Sequence, residues 1–293
     1  MFNIRWKEKL ASFLHKKRKM ERFLRPLFIL VLSVIALSCL PFKFHRPLSW
    51  EDYINQPRSE PYVLELKERT YRLLYYGAFH KVDIEHPQFE DIEERWEGFK
   101  PTLALCEGGI WPLEKSRNDA IRKHGEQGLL RFLAARDSIP LKCFDPSLHY
   151  QALFLKRAFL PTHVKIYFVL RQAIINRILK RDINKTDYVT QILRSFKGVK
   201  RYDCPPKSLT EFEFLVSKLF PELDDWRMIP PTFFYSVERG HFLAEIHYRV
   251  NEYRDNIMVK NLIAELKKGE RVFAVVGRSH VVMQEPTLLS VLK

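Results

Sequence analysis

The sequence has few cysteines, and their spacing argues against two classes of protein. Four occur among 293 residues, and only Cys106, Cys143 and Cys204 lie beyond the apolar run near the N-terminus. An odd number of widely spaced cysteines is typical of neither a disulfide framework nor a zinc site. Cys106 and Cys143 both end apolar runs, where buried free thiols are common.

The sequence also lacks the signatures of nucleic-acid-binding modules, although its net charge is +14. It contains no zinc finger, no RNA-recognition aromatic motif and no helix-turn-helix pattern. Residues 1–26 carry nine Lys/Arg and two Asp/Glu, a net charge of +7, and the other 267 residues share the remaining +7. The excess charge is therefore local, and we expect no nucleic acid partner.

Charge is absent altogether from residues 27–42, "LFILVLSVIALSCLPF". Sixteen helical residues span about 24 Å, slightly less than a full membrane crossing. The basic segment 1–26 precedes this run, which fits the positive-inside rule. We therefore predict a single transmembrane helix at 27–42, with a cytoplasmic N-terminus and residues 43–293 outside the cytoplasm.

Two alternatives to this anchor stay open. A buried core helix would also be apolar, although it rarely lacks a polar face altogether. A cleaved signal peptide would use the small residues Ala36 and Ser38 before Cys39, but its basic region of about 26 residues is long for that purpose. Lipidation of Cys39 is a further variant, for which Ala-Leu-Ser is a poor preceding sequence.

Beyond a proline-containing linker at 43–68, apolar strand patterns alternate with helical ones. This alternation predicts a parallel sheet with right-handed crossovers. Helical periodicity then dominates 147–267 before a last buried strand returns. We predict one α/β domain over 69–293, with a central, mostly parallel sheet and a large helical insertion. The predicted strands are 72–79, 102–106, 139–144 and 271–276.

Polar groups follow three of these strands. Gly77-Ala-Phe-His80 and Gly277-Arg-Ser-His280 repeat one G-x-x-H pattern, and Glu107 follows the strand "LALC". Because parallel strands bring their carboxyl ends to one edge of a sheet, these side chains are expected to converge. Two imidazoles and a carboxylate suit a divalent metal or metal-free acid–base catalysis. Taken singly, each is also typical of a capped or solvated strand end.

Two further residues lie on the helix before the last strand. Arg254 is of the type that binds carboxylates and phosphates, and Asn256 follows two residues later. On charge alone, a solvated helix face with Glu252 and Asp255 as neighbours is the preferred explanation. Asp145 follows a third strand, but Asp-Pro is an ordinary start of a turn.

The order of four motifs resembles the Tiki/TraB family and its wider relatives, the erythromycin-esterase-like and ChaN-like proteins. The motifs are "GAFH", "LALCEGG", "RDNIM" and "VVGRSH", and the resemblance covers roughly residues 70–290. The chain departs from relatives that carry a doubled acidic motif near the first histidine, and from the G-x-G-H common at the last strand.

The resemblance implies a site with defined roles. His80, Glu107 and His280 would be the catalytic residues and also the ligands of any divalent metal. Arg254 and Asn256 would bind the substrate or an oxyanion. The expected function is hydrolysis of peptide or ester bonds by a membrane-anchored enzyme of the cell envelope. The alternatives are a binding protein for haem or another small ligand, with Tyr75 and Tyr76 contributing, and a structural envelope protein in which the motifs are relics.

Overall fold

The computed structural model describes residues 61–235 and 242–292. Its centre is a mixed five-stranded sheet with the order β1-β2-β5-β3-β4, in which β1 is antiparallel to β2 and the other neighbours are parallel. The strands are β1 Tyr62–Lys67, β2 Arg72–Ala78, β3 Leu103–Cys106, β4 Leu141–Cys143 and β5 Arg271–Gly277.

Helices make up most of the remaining described chain. They are α1 Gln88–Phe99, α2 Arg117–Arg136, α3 Leu148–Leu155, α4 Pro161–Ile178, α5 Asp187–Ser195, α6 Leu209–Leu219, α7 Thr232–Tyr235, α8 Phe242–Leu266 and α9 Arg278–Leu292. A short 3₁₀ helix, Trp226–Met228, lies between α6 and α7.

The central strand β5 shows why its sequence is apolar at nearly every position. Phe273 and Val275 pack on one face, against side chains of α1 and α2. Val272 and Ala274 pack on the other face, against α8 and α9. A strand that is covered on both faces reads as a continuous hydrophobic run rather than an alternating one.

The helical insertion has a core of its own, built from α3 to α7 and the first half of α8. Aromatic side chains dominate it, including the fully buried Tyr167, Phe196 and Phe212. Helix α6 is capped by Ser208, whose hydroxyl accepts a hydrogen bond of 3.2 Å from the Glu211 amide. Helix α8 extends from this core to the sheet and so connects the insertion to the strand ends.

The α/β architecture and the four predicted parallel strands are confirmed, with one difference. Part of the predicted linker, Tyr62–Lys67, is the edge strand β1, because its residues pair in register with β2. Helix α9 begins at Arg278, directly after β5, and Pro286 lies within it. Helix α2, between β3 and β4, bends at Gly125.

The predicted anchor at 27–42 lies outside the described residues. Across 61–235 and 242–292, none of the helices combines the length and the apolar character that crossing a bilayer requires.

Candidate functional site

A cluster of charged side chains fills the carboxyl edge of the sheet, where β2, β3, β4 and β5 end. At its centre is Glu107, the first residue after β3. Its Oε1 accepts a 2.6 Å hydrogen bond from Nη2 of Arg254, and Oε2 accepts one of 2.8 Å from the amide of Gly277. Burial opposes ionisation of Glu107, but the charges of His280 and Arg254 bring its pKa well below the usual range.

Arg254 holds two strand ends together from helix α8. Its Nε and Nη2 donate to the two oxygens of Asp145 at 2.9 and 2.8 Å, while Nη2 also donates to Glu107. The planar fork of arginine matches this paired arrangement better than a lysine ammonium would. Since Arg254 is only 2% exposed, its charge is neutralised within the protein rather than by water.

His280 lies in the first turn of α9 and is buried between two carboxylates. Its Nδ1 lies 2.6 Å from Oδ1 of Asp255, and its Nε2 lies 3.3 Å from Oε1 of Glu107. Burial alone would lower the pKa of His280, but the two carboxylates raise it to about 10. The side chain is therefore an imidazolium at neutral pH, with both N–H groups directed at carboxylates.

A second carboxylate–imidazole pair lies at the end of β2, where His80 is the exposed member of the cluster. Its Nδ1 lies 2.7 Å from Oε1 of Glu126, and its side chain is 50% exposed whereas that of Glu126 is 3% exposed. The charge of Glu126 is the main cause that raises the pKa of His80 to about 9. At neutral pH His80 can thus donate a proton from Nε2.

A glycine kink brings Glu126 under His80. Gly125 has φ 59° and ψ −140°, a conformation that disfavours residues with a side chain. A Cβ atom there would also lie 2.6 Å from the carbonyl oxygen of Lys81. The kink therefore lets α2 approach the segment that follows β2, and it presents the next residue to His80.

His80 and Glu107 approach each other across Gly277. A methyl group on this glycine would lie 3.3 Å from Nε2 of His80 and 3.6 Å from Oε2 of Glu107. The absence of a side chain at the end of β5 thus leaves the space between the exposed imidazole and the buried carboxylate open.

A chain of hydrogen bonds continues from the cluster into the helical insertion. Asn251 accepts from Arg254 Nη1 at 3.0 Å, and its amide nitrogen lies 3.0 Å from Nε2 of His247. The hydroxyl of Tyr167 lies 2.9 Å from Nδ1 of the same histidine. Burial lowers the pKa of His247 to about 3, so this third imidazole stays neutral and carries no charge into the core.

Four of the five predicted site residues converge in this cluster: His80, Glu107, Arg254 and His280. Asn256 does not, because it lies on the exposed side of α8, where its amide donates to the carbonyl of Glu252 at 2.8 Å. Two residues along a helix are about 200° apart around its axis, so Arg254 and Asn256 cannot share one face.

Three carboxylates in the cluster were missed by the sequence argument. Asp145 had a signal, since it follows a strand, but Asp-Pro indicated a turn. Asp255 lies inside the "RDNIM" motif next to Arg254, and its Oδ1 also accepts from Gln284 at 2.7 Å. Glu126 had no signal, because its partner is 46 residues away and the contact depends on the bend in α2.

The two tyrosines considered for ligand binding are part of the core. Tyr75 and Tyr76 are both fully buried. The hydroxyl of Tyr75 donates to Oε1 of Gln284 at 2.8 Å, and that of Tyr76 lies 3.5 Å from the carbonyl of Gln88. Neither hydroxyl is available to an external ligand in this arrangement.

The donor set does not suit a metal ion in this arrangement. Both nitrogens of His280 face carboxylates, both oxygens of Glu107 already accept hydrogen bonds, and the guanidinium of Arg254 occupies the position beside them. A metal ligand must present a free lone pair, and a neutral imidazole in the case of histidine. Within the part of the chain that the structure describes, no three His, Cys, Asp or Glu side chains are grouped for metal binding.

What the arrangement can do chemically is donate a proton from the exposed side chain of His80. The exposed imidazolium of His80 is held by a buried carboxylate, and a nearly neutral, buried ion network supports it.

Comparisons of this chain with protein-family models, with curated proteins and with solved structures find no match.

Proposed function

We propose that the protein is a hydrolase of peptide or ester bonds, in which His80 is the catalytic acid. The observation that carries the proposal is the His80–Glu126 pair: a half-exposed imidazole whose Nδ1 lies 2.7 Å from a buried carboxylate. Such a carboxylate fixes the tautomer and orientation of the ring, leaving Nε2 to exchange protons with a bound substrate.

His80 would act in its protonated form. With a pKa of about 9, it can donate a proton from Nε2 to the leaving group at neutral pH, or stabilise the oxyanion of a tetrahedral intermediate. Water attacks the carbonyl carbon and the bond to the leaving group breaks. The neutral imidazole that results then takes up the proton that the attacking water loses, which restores the acid. Activity that depends on this acid is present below pH 9 and is lost as the pH rises through that value.

Glu107, Arg254 and His280 would position the centre rather than touch the substrate. Arg254 and His280 are buried, and the side chain of Glu107 is 11% exposed. Their polar atoms are engaged with one another, with neighbouring side chains or with backbone. The fixed charges keep Glu107 ionised opposite His80 without any rearrangement during the reaction. No step of this proposal requires a metal ion.

The bond type and the location in the cell rest on the sequence. The order of motifs resembles the Tiki/TraB family and its esterase-like relatives, which supports peptide or ester bonds. The apolar run 27–42 behind a segment of net charge +7 supports a membrane anchor with the site outside the cytoplasm. A reporter fused after Lys293 should then behave as exported, and cytoplasmic reporter activity would overturn this topology.

The test is a hydrolysis screen of the full-length protein in detergent micelles, with chromogenic esters and peptides. His80→Asn should lower kcat/KM about 100-fold or more, the usual contribution of a positioned acid. His149→Asn, a change at an exposed histidine outside the cluster, should leave it within about twofold. Folding of both variants is checked by circular dichroism.

Parallel assays with a chelator and with added zinc test the metal-free mechanism. We expect the same rate in both. Hydrolysis that survives in His80→Asn would refute the role of His80, and loss in chelator with recovery in zinc would refute the metal-free chemistry. A chain that shows no hydrolysis, but gains a strong Soret band with haem, would support the ligand-binding alternative instead.

A further inference from the structure

Two cysteines lie side by side at the edge of the sheet that carries the charged cluster. Cys106 is the last residue of β3, Cys143 is the last residue of β4, and they are paired in register on neighbouring parallel strands. Neighbouring strands are about 4.8 Å apart, and disulfides join Cα atoms that are about 4.4–6.8 Å apart. Residues that pair in register direct their side chains to the same face of the sheet.

Contacts of the two thiols support their proximity. The Sγ of Cys106 lies 3.5 Å from the carbonyl oxygen of Lys142, the residue before Cys143. The Sγ of Cys143 in turn lies 3.7 Å from the carbonyl oxygen of Asp145. Both sulfur atoms thus lie against backbone carbonyl groups at the end of β4, next to the charged cluster.

We propose that Cys106 and Cys143 form a reversible disulfide that closes the β3–β4 edge of the sheet. Facing Cβ atoms on parallel strands are separated by about the strand spacing, slightly more than the 3.5–4.5 Å that disulfides prefer. Forming the bond therefore needs a small inward movement of one strand. Strand β4 suits that movement, because it has three residues and lies at the sheet edge.

The two thiols differ in the way that disulfide exchange requires. Cys143 is half-buried, whereas Cys106 is 1% exposed. A hydrogen bond from Cys106 lowers the pKa of the Cys143 thiol to about 7, so a large fraction is thiolate at neutral pH. Cys143 is thus the attacking group, and Cys106 is the group that resolves the intermediate.

The oxidant would be a low-molecular-weight disulfide such as oxidised glutathione. The Cys143 thiolate attacks one of its sulfur atoms, which forms a mixed disulfide and releases one glutathione thiolate. The Cys106 sulfur then loses its proton, attacks Cys143 Sγ and releases the second glutathione. Two protein thiols are oxidised and one glutathione disulfide is reduced to two thiols, so atoms and electrons balance.

This bond would tie together two carboxylates of the cluster. Glu107 follows Cys106 directly, and Asp145 lies two residues after Cys143. These two side chains are the ones that hold Arg254, at 2.6 and 2.8 Å. The disulfide requires only the geometry of the strand ends and is independent of the proposed reaction.

The test counts thiols in the full-length protein after incubation with oxidised glutathione. The exchange reaction is quenched with acid. The chain is then unfolded in denaturant at neutral pH, and its free thiols are labelled with excess maleimide. Of the four cysteines, the wild-type chain should label at two, Cys39 and Cys204. Cys143→Ser should label at three, because its loss frees Cys106, and Cys204→Ser should label at one.

Peptide mapping of the unreduced wild-type chain provides a second measurement that needs no variant. A Cys106–Cys143 cross-linked peptide should be present, and dithiothreitol should remove it. The proposal would be overturned if wild-type protein that was incubated in its folded state still labels at all four cysteines. A cross-link through Cys39 or Cys204 would overturn it as well.

Discussion

Arg254→Met should be one of the most damaging single substitutions in the described domain. Arg254 is 2% exposed, and its guanidinium makes charge-assisted hydrogen bonds to Glu107 and Asp145. Methionine fills a similar volume but leaves two buried carboxylates without their cation. Removing one partner of a buried ion pair typically costs about 3–5 kcal/mol, and we expect a loss of this size in the free energy of unfolding.

The assay is urea unfolding of the full-length protein in detergent micelles at pH 7, followed by tryptophan fluorescence. Arg249→Met is the matched control, because this arginine lies on the same helix and its side chain is 54% exposed. It pairs with Glu252 at 3.5 Å, and an exposed pair of this kind contributes about 1 kcal/mol or less.

A double variant separates two causes of the lost stability: the uncompensated carboxylates and the lost packing of the arginine side chain. Adding Asp145→Asn to Arg254→Met removes one of the two uncompensated carboxylates. We expect it to recover about 1 kcal/mol or more relative to Arg254→Met alone. If Arg254→Met costs no more than Arg249→Met, or if Asp145→Asn adds a further loss, then Arg254 does not stabilise the strand ends by neutralising their carboxylates.

Four other perturbations test separate parts of the structure. Glu126→Gln should lower the pKa of His80 from about 9 toward its ordinary 6.5, since the charge of Glu126 is the main cause of the shift; NMR titration of the ring measures it, and an unchanged value would contradict the pairing. The two ion pairs of His280 raise its pKa from 6.5 to about 10, so their contribution to stability is complete below pH 6.5 and is lost as the pH rises to 10. The urea midpoint should fall across that window, and less so in His280→Asn. Gly77→Ala should cost about 1–3 kcal/mol, because its methyl group would lie 2.9 and 3.0 Å from backbone atoms of neighbouring segments. Gly98→Ala has no atom within 4 Å of its methyl group, and it should stabilise helix α1 by about 0.5–1 kcal/mol in the same unfolding measurement.

The sequence alone was sufficient to predict four of the five strands and the edge at which the charged cluster lies. Strand β5 is recognisable because burial on both faces requires a continuous apolar run, which is a local property of the chain. Helical patterns between strands require parallel crossovers, and parallel strands end at the same edge. His80, Glu107 and His280 could therefore be brought together from patterns separated by up to 200 residues.

Only the tertiary structure decided which groups pair at that edge. Whether Asp255 or Asn256 faces the cluster together with Arg254 depends on the rotation of α8 about its own axis. Packing of α8 against the sheet sets that rotation. Glu126 reaches His80 because a kink at Gly125 bends α2 toward the end of β2. The pairing of Cys106 with Cys143 depends in the same way on strand order and register. Local sequence patterns show which residues are buried and with what spacing along the chain. These pairings depend instead on contacts between distant segments, and a single sequence holds no local signal for such contacts.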